Sequence, residues 1–365
     1  MSLVARVAGV RERLDGIDAL LVTDLTNIRW LTGFSGSNGW AVVTPDRVTI
    51  FTDGRYGVQA AQQMSAAGFD GEVAVGATGG AMLDELVART RGLGRLGFEA
   101  PHVSYQQHGQ FAATVACTLV ATSGLVEAGR RIKDDTEIAA IERACAIADQ
   151  ALAEVAPALA DGLTEAQVRN RLELRMRELG ASGPSYDTIV ATGPRNGALP
   201  HHRPTDTVIE EGHLVVVDVG ALVDGYHSDM TRTFVVGEPS AQQRELYELV
   251  LAAQVAGVAA VAPGLVARDL DGVCRGIIAD AGYGDWFTHG TGHGVGLLIH
   301  EDPFVNKASD VTLQVGDVVT VEPGVYREGF GGIRVEDLVV VTSNGCRVLT
   351  ASAKDSPCPP FPPTT

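Results

Sequence analysis

Two aspartates, Asp218 and Asp229, lie eleven residues apart in LVVVDVGALVDGYHSDMTRTF, 214–234. They border apolar, β-branched runs where an ionised carboxylate is out of place unless something neutralises it. Burying one unpaired carboxylate costs more than the whole stability margin of a domain. Val215 to Val217 and Val219 predict that Asp218 sits inside a strand. Gly225 and Tyr226 mark a turn, and a second strand then carries Asp229, Thr231 and Thr233. Two carboxylates facing each other across a hairpin make a cation site.

Four further stretches share this oddity. HGTGHGVGLLIHEDP, 289–303, sets His289, His293 and His300 among glycines, and VTVEPGVY, 319–326, ends a β-branched run on Glu322. GGIRVEDLVVV, 331–341, sets Glu336 inside another such run, and LPHHRPTD, 199–206, holds His201 and His202 between prolines. Asp218, Asp229, His293, Glu322 and Glu336 form an oxygen-rich ligand set that suits manganese or cobalt better than a thiolate zinc site. So many negative ligands imply two cations, held roughly 3.5–4 Å apart by bridging carboxylates, with a bridging hydroxide able to attack a polarised carbonyl.

Taken singly, each residue has a plainer reading. A lone Asp in a strand is usually an edge or turn residue. His102 and His108 read as surface or helix histidines, and His213 and His227 as strand flanks without chemistry. Other site patterns fail. In HGTGHGVG the last glycine of a dinucleotide loop is replaced by Val295, no H-E-x-x-H occurs, and Ser37 lies outside a G-x-S-x-G frame.

The elements that must position these residues fall into two sets. Up to about residue 126, strands at 18–23, 40–44, 48–52, 73–75, 96–98 and 118–120 alternate with helices at 58–67, 82–91 and 105–114, an α/β layer pattern. FSGSNGW reads as a turn and strand start. After Arg130, Arg131 and Lys133, Asp134 and Glu137 form a capping box for a long helix whose apolar residues run from Ile138 to Leu159 at helical spacing. A second helix opens at Thr164 with Gln167, followed by strands around Ile189 and Val216. A helix opened by Ser240 and Gln243, another over 268–281, and strands around Val319 and Val339 repeat the order. Two helix-helix-strand-strand halves predict a duplicated α+β domain with curved antiparallel sheets.

Composition sets the outer bounds. The chain has 365 residues, 45% of them hydrophobic, enough for two cores. A net charge of −17 argues against nucleic acid and anionic membrane as partners. The five scattered cysteines lack any C-x-x-C pair, which fits a reducing cytoplasm. No signal peptide is expected, and the apolar run 249–262 is too short to span a membrane.

The sequence resembles the Xaa-Pro peptidases, prolidase and aminopeptidase P, of the pita-bread metallopeptidase group. NIRWLTGFSGSNGW, TDGRY, RRIKDDTEI, DVGALVDGYHSDMTRTF, HGTGHGVGL, VEPGVY and GIRVED carry the resemblance in order along nearly the whole chain. It implies a creatinase/prolidase-type N-terminal domain over 1–126 and a pita-bread catalytic domain over 127–350. The Pro-rich tail, 351–365, is expected to be disordered.

By this resemblance, Asp218 chelates one ion, His293 and Glu322 ligate the other, and Asp229 and Glu336 bridge them. Glu322 also relays a proton, and His201 assists at the scissile carbonyl, with His202 secondary. His289 and His300 line the substrate pocket, Arg334 stands beside the site, and Tyr326 is a weaker candidate of that kind. The ions implied are manganese foremost, with cobalt or zinc as alternatives. The substrates implied are Xaa-Pro dipeptides or peptides with proline second, and the assembly a homodimer. An Xaa-Pro bond lacks an amide hydrogen, so a dedicated pocket must orient it. Two other readings compete, a creatinase-like amidinohydrolase that works without metal and a pita-bread module that only binds. The intact ligand set argues against both. Methionine aminopeptidase is less expected because a complete N-terminal domain precedes the catalytic one.

Overall fold

Short β-branched runs separated by capped helices build two units, Met1–Arg130 and Arg131–Thr365, in a computed structural model that describes residues 2–358. The division falls a few residues beyond the expected boundary at 126.

In the first unit, every expected strand forms, giving a six-stranded mixed sheet. Its order is Glu72–Gly76, Val48–Asp53, Trp40–Val43, Ala19–Val22, Arg95–Glu99 and Thr118–Thr122. Leu20, Leu21, Ile50, Phe51 and Leu96 are fully buried within it. A helix that the sequence reading does not identify, Leu25–Thr32, starts where the Asp24 side chain accepts from Thr26 N and stops at Gly33, whose φ of 78° suits glycine. Its buried Asn27 donates to Glu99 at 2.6 Å and Glu127 at 2.7 Å, and accepts from Arg130 at 2.7 Å.

The second unit shows the duplication. The helices Asp135–Val155, Glu165–Glu178 and Ala241–Ala260 each open on the expected capping box, at Asp134/Glu137, Thr164/Gln167 and Ser240/Gln243. A fourth, Ala267–Asp280, completes the two helix pairs. In the first half, Leu214–Asp218 pairs antiparallel with both Ile189–Thr192 and Thr231–Val235. In the second, Val318–Val321 pairs antiparallel with Asp337–Thr342 inside a five-stranded sheet.

The opening hairpin differs in two respects from its expected form. Asp218 closes its strand instead of sitting inside it, and Asp229 lies two residues before the partner strand instead of on it. The intervening chain makes a smaller hairpin, Ala221–Val223 with Tyr226–His227, turning through Asp224 and Gly225 at φ 51° and 79°. The register Thr231↔Asp218 brings Asp229 alongside Asp218 all the same.

The C-terminal expectation is also corrected. Residues 351–358 are tied down, while 359–365 lie outside the described residues. Asp149 accepts from Ala351 N and Ser352 N at 2.8 Å each, and Val235 N donates to Pro357 O at 2.7 Å. Polar bonds to buried partners outweigh the tail's poor apolar content here. Arg232, fully buried, donates to Asp337 Oδ1 at 2.8 Å and to Ser352 O at 2.7 Å, and Lys354 joins Asp337 through its other oxygen. Removing one partner of such a buried pair strands the other charge in a dry interior. Asp337→Ala is therefore expected to destabilise the protein by about 3–5 kcal/mol, read from urea unfolding. A loss under about 1 kcal/mol, the worth of an exposed pair, would contradict this account.

Candidate active site

Both strand pairs of the second unit deliver carboxylates at matching ends. Asp218 closes Leu214–Asp218, and Asp229 precedes its partner strand. Glu322 follows Val318–Val321, and Glu336 precedes Asp337–Thr342, with Val321 opposite Asp337. The two halves then join directly. Glu336 N donates to Thr231 O at 3.2 Å, Thr231 Oγ1 donates to Glu336 Oε2 at 2.6 Å, and Thr233 Oγ1 donates to Arg334 O at 2.8 Å.

His293 enters from Gly292–Gly294, and the flanking glycines have a steric reason. A Cβ at Gly292 would lie 2.1 Å from Thr320 O, and one at Gly294 would lie 2.4 Å from Asp302 O. Only glycine lets the strands close on both sides of the imidazole. Its Nδ1 faces Gly294 O at 3.1 Å, which directs Nε2 towards the acids. That nitrogen lies 3.4 Å from both Asp229 Oδ2 and Glu322 Oε1.

Asp218, Asp229 and Glu336 each place an oxygen within 4.8 Å of the others. Burial raises the carboxyls of Asp229 and Glu336 well above their usual range, and the neighbouring acids add to this. Burial likewise raises Glu322 to about 7, against the pull of Arg334. Four acids and one imidazole converging at this range is a donor set that a pair of hard divalent cations would satisfy.

All five expected ligands are thus brought together, and so are the expected neighbours. His201, His289 and His300 line one cavity of about 490 Å³ with the five ligands and Arg334. The ring of His300 packs edge-on against His293, with centroids 4.4 Å apart. Burial lowers His289 to about 3, and Arg334 pushes the same way. Burial also lowers His293 and His300. His202 also borders the cavity but bonds Glu165 at 2.8 Å, and His227 bonds Ser185 at 2.8 Å.

Arg334 and Tyr326 form a network rather than a free binding surface. The buried guanidinium donates to Asp218 Oδ2 at 2.5 Å, Thr231 Oγ1 at 2.9 Å, Tyr326 OH at 2.6 Å and Pro200 O at 3.2 Å. His289 Nε2 meets the same phenol at 3.1 Å. Tyr186, which the sequence reading passed over, places its hydroxyl against Asp218 Oδ1 and, at 2.6 Å, Asp229 Oδ1. Nothing local in GPSYDTIV marks it, since its contacts come from strands further along the chain.

Comparison with known proteins agrees with this geometry. Residues 139–343 match the model of metallopeptidase family M24, and 6–132 match the creatinase/prolidase N-terminal domain. A Xaa-Pro dipeptidase of Pyrococcus horikoshii is 36% identical over 93% of this chain and 95% of its own. The solved Xaa-Pro dipeptidase from Bacillus anthracis is 39% identical, covers 97% of this chain and 99% of its own, and superposes with a TM-score of 0.92. An X-Pro aminopeptidase from Thermotoga maritima superposes with a TM-score of 0.87 at 34% identity, over 94% of this chain and 98% of its own. With four acids meeting at the ends of two duplicated strand pairs beside His293, and with these relatives along nearly its full length, the chain belongs to metallopeptidase family M24, in its prolidase group with a creatinase-type N-terminal domain.

Proposed function

We propose that this metallopeptidase hydrolyses the peptide bond preceding proline, using two divalent ions, manganese foremost. The convergence of Asp218, Asp229, His293, Glu322 and Glu336 carries the reading. The relatives named Xaa-Pro dipeptidase and X-Pro aminopeptidase supply the substrate class.

Asp229 and Glu336 stand between the two halves and are assigned to both ions, Asp218 to one, and His293 with Glu322 to the other. Ions bound there would supply a nucleophile from water near neutral pH and an electrophile for the substrate carbonyl. Glu322, held near 7 by burial, can accept a proton and release it towards the leaving nitrogen. His201, exposed on the cavity, is assigned as the donor to the scissile carbonyl. His300, on the cavity wall, can offer an N–H donor to a substrate whose proline nitrogen has none. His289, kept neutral by burial, instead turns its single N–H to Gly290 O at 2.8 Å and its Nε2 to Tyr326 OH, and so shapes the pocket. Arg334 and Tyr326 act chiefly by holding Asp218 in place.

Leu-Pro and Ala-Pro should be hydrolysed when manganese is added, and a longer Xaa-Pro peptide run in parallel separates dipeptidase from aminopeptidase. Hydrolysis of neither would refute the proposal, and activity that survives complete metal removal would favour a creatinase-like reaction. Asp229→Ala or Glu336→Ala should lower kcat/KM by roughly 10³-fold or more, since metal ions contribute several kcal/mol of transition-state stabilisation. Both variants should also bind less metal. Near-normal turnover in either would show the assignment to be wrong.

A pH dependence follows from the raised carboxyls. A group whose folded pKa lies above its unfolded value stabilises the fold when protonated, fully below the unfolded pKa. That stability is lost as pH rises through the folded value, about 7 for Glu322. Metal binding displaces those protons and strengthens over the same range. The increase in Tm on adding manganese to chelator-treated protein should therefore be larger near pH 8 than near pH 5. An increment that shrinks as pH rises would contradict the site electrostatics.

A further inference from the structure

Outside the ligand set, the most heavily bonded buried acid is Glu165, the first residue of the helix Glu165–Glu178 and fully shielded from solvent. Its Oε1 accepts from Thr192 N at 2.8 Å and Asn196 Nδ2 at 3.1 Å. Its Oε2 accepts from His202 Nε2 at 2.8 Å, Thr205 N at 2.9 Å and Thr205 Oγ1 at 2.8 Å. Every one of these donors lies in one stretch, 192–205, which leaves the strand Ile189–Thr192 and carries His201 past the cavity.

The same stretch is held from its other side. Arg334 donates to Pro200 O at 3.2 Å, and Gly329 N donates to Pro194 O at 3.0 Å. A Cβ on Gly332 would lie 2.1 Å from Gly197 O, so the loop rests on the Arg334 strand backbone to backbone. His201 is exposed to the cavity, while its neighbour His202 is buried against Glu165.

From this geometry we infer that Glu165 is a positioning residue for His201, gripping both ends of the 192–205 loop so that the imidazole is presented to the reacting carbonyl. The inference rests on the role given to His201 above. A carboxylate suits the task because it is acceptor-only, with room for five donors from backbone, amide, hydroxyl and imidazole. Its place in the first turn of a helix also favours the negative charge. Glutamine keeps the shape but turns one oxygen into a donor, which then faces a donor of the loop. Small displacements of a group that orients substrate can cost about 10²-fold in rate.

The test is a double-mutant cycle on metal-loaded protein, with kcat/KM for Leu-Pro as readout and Tm and bound metal measured alongside. Glu165→Gln is expected to lower kcat/KM by about 10- to 10²-fold, with metal content as in the parent. In a His201→Ala background the same change should cost less than about twofold, because the residue it positions is already gone. Thr205→Val, at an exposed position, removes one donor and should show a smaller loss with the same non-additivity if Glu165→Gln does not fold. Full additivity in the cycle, or loss of activity only in step with loss of metal, would overturn the inference and leave the peptidase reading intact. If His201→Ala is itself fully active, the role of His201 falls, and the inference with it.

Discussion

Mutual repulsion among buried carboxylates is the constraint on which the catalytic unit depends. Asp218, Asp229 and Glu336 crowd within 4.8 Å of one another, beside Glu322 and beneath an imidazole. In the chain alone, burial and the neighbouring charges push Asp229 and Glu336 towards the neutral form. Only a strongly positive centre makes the ionised arrangement favourable, so affinity for divalent cations and cost to the fold have one origin. Arg334 offsets part of that charge through Asp218, and Thr231 links it to Glu336.

Duplication explains how such a cluster can be assembled reproducibly. Each half supplies one antiparallel strand pair with an acid at the end of one strand and another just before its partner. The bonds between 231–233 and 334–336 then set the two ends side by side. The glycines around His293 permit the close approach of neighbouring strands that brings the imidazole to the acids. The site is therefore built on strand ends locked by backbone pairing, which holds geometry better than a loop can.

His201 is the exception, because it rides on a loop, and the loop is restrained accordingly. Glu165 below, Arg334 beside it and the backbone contact at Gly197 and Gly332 each remove freedom from it. The buried network of Arg232, Asp337 and Lys354 plays a similar part next to Glu336, and it explains why the segment 351–358 is ordered despite its composition.

Much of this was legible from residues alone. Acids in β-branched runs, histidines among glycines and three capping boxes are local signals, and local signals suffice for element type, for picking out the acids and histidine that converge and for the duplicated order of helices and strands. The helix Leu25–Thr32 escaped because it is only eight residues long, and its start and stop rest on single capping residues. The contacts of Tyr186, the grip of Glu165 on the His201 loop and the anchoring of 351–358 could not be read that way. Each joins residues from 17 to more than 100 positions apart, as in Lys354 to Asp337, Glu165 to Thr192 and Arg232 to Ser352. By itself the sequence determined which side chains could bind metal and on which kinds of element they sit. Tertiary structure alone decided which partners restrain them, because a hydrogen bond across distant strands leaves no periodic trace in the chain.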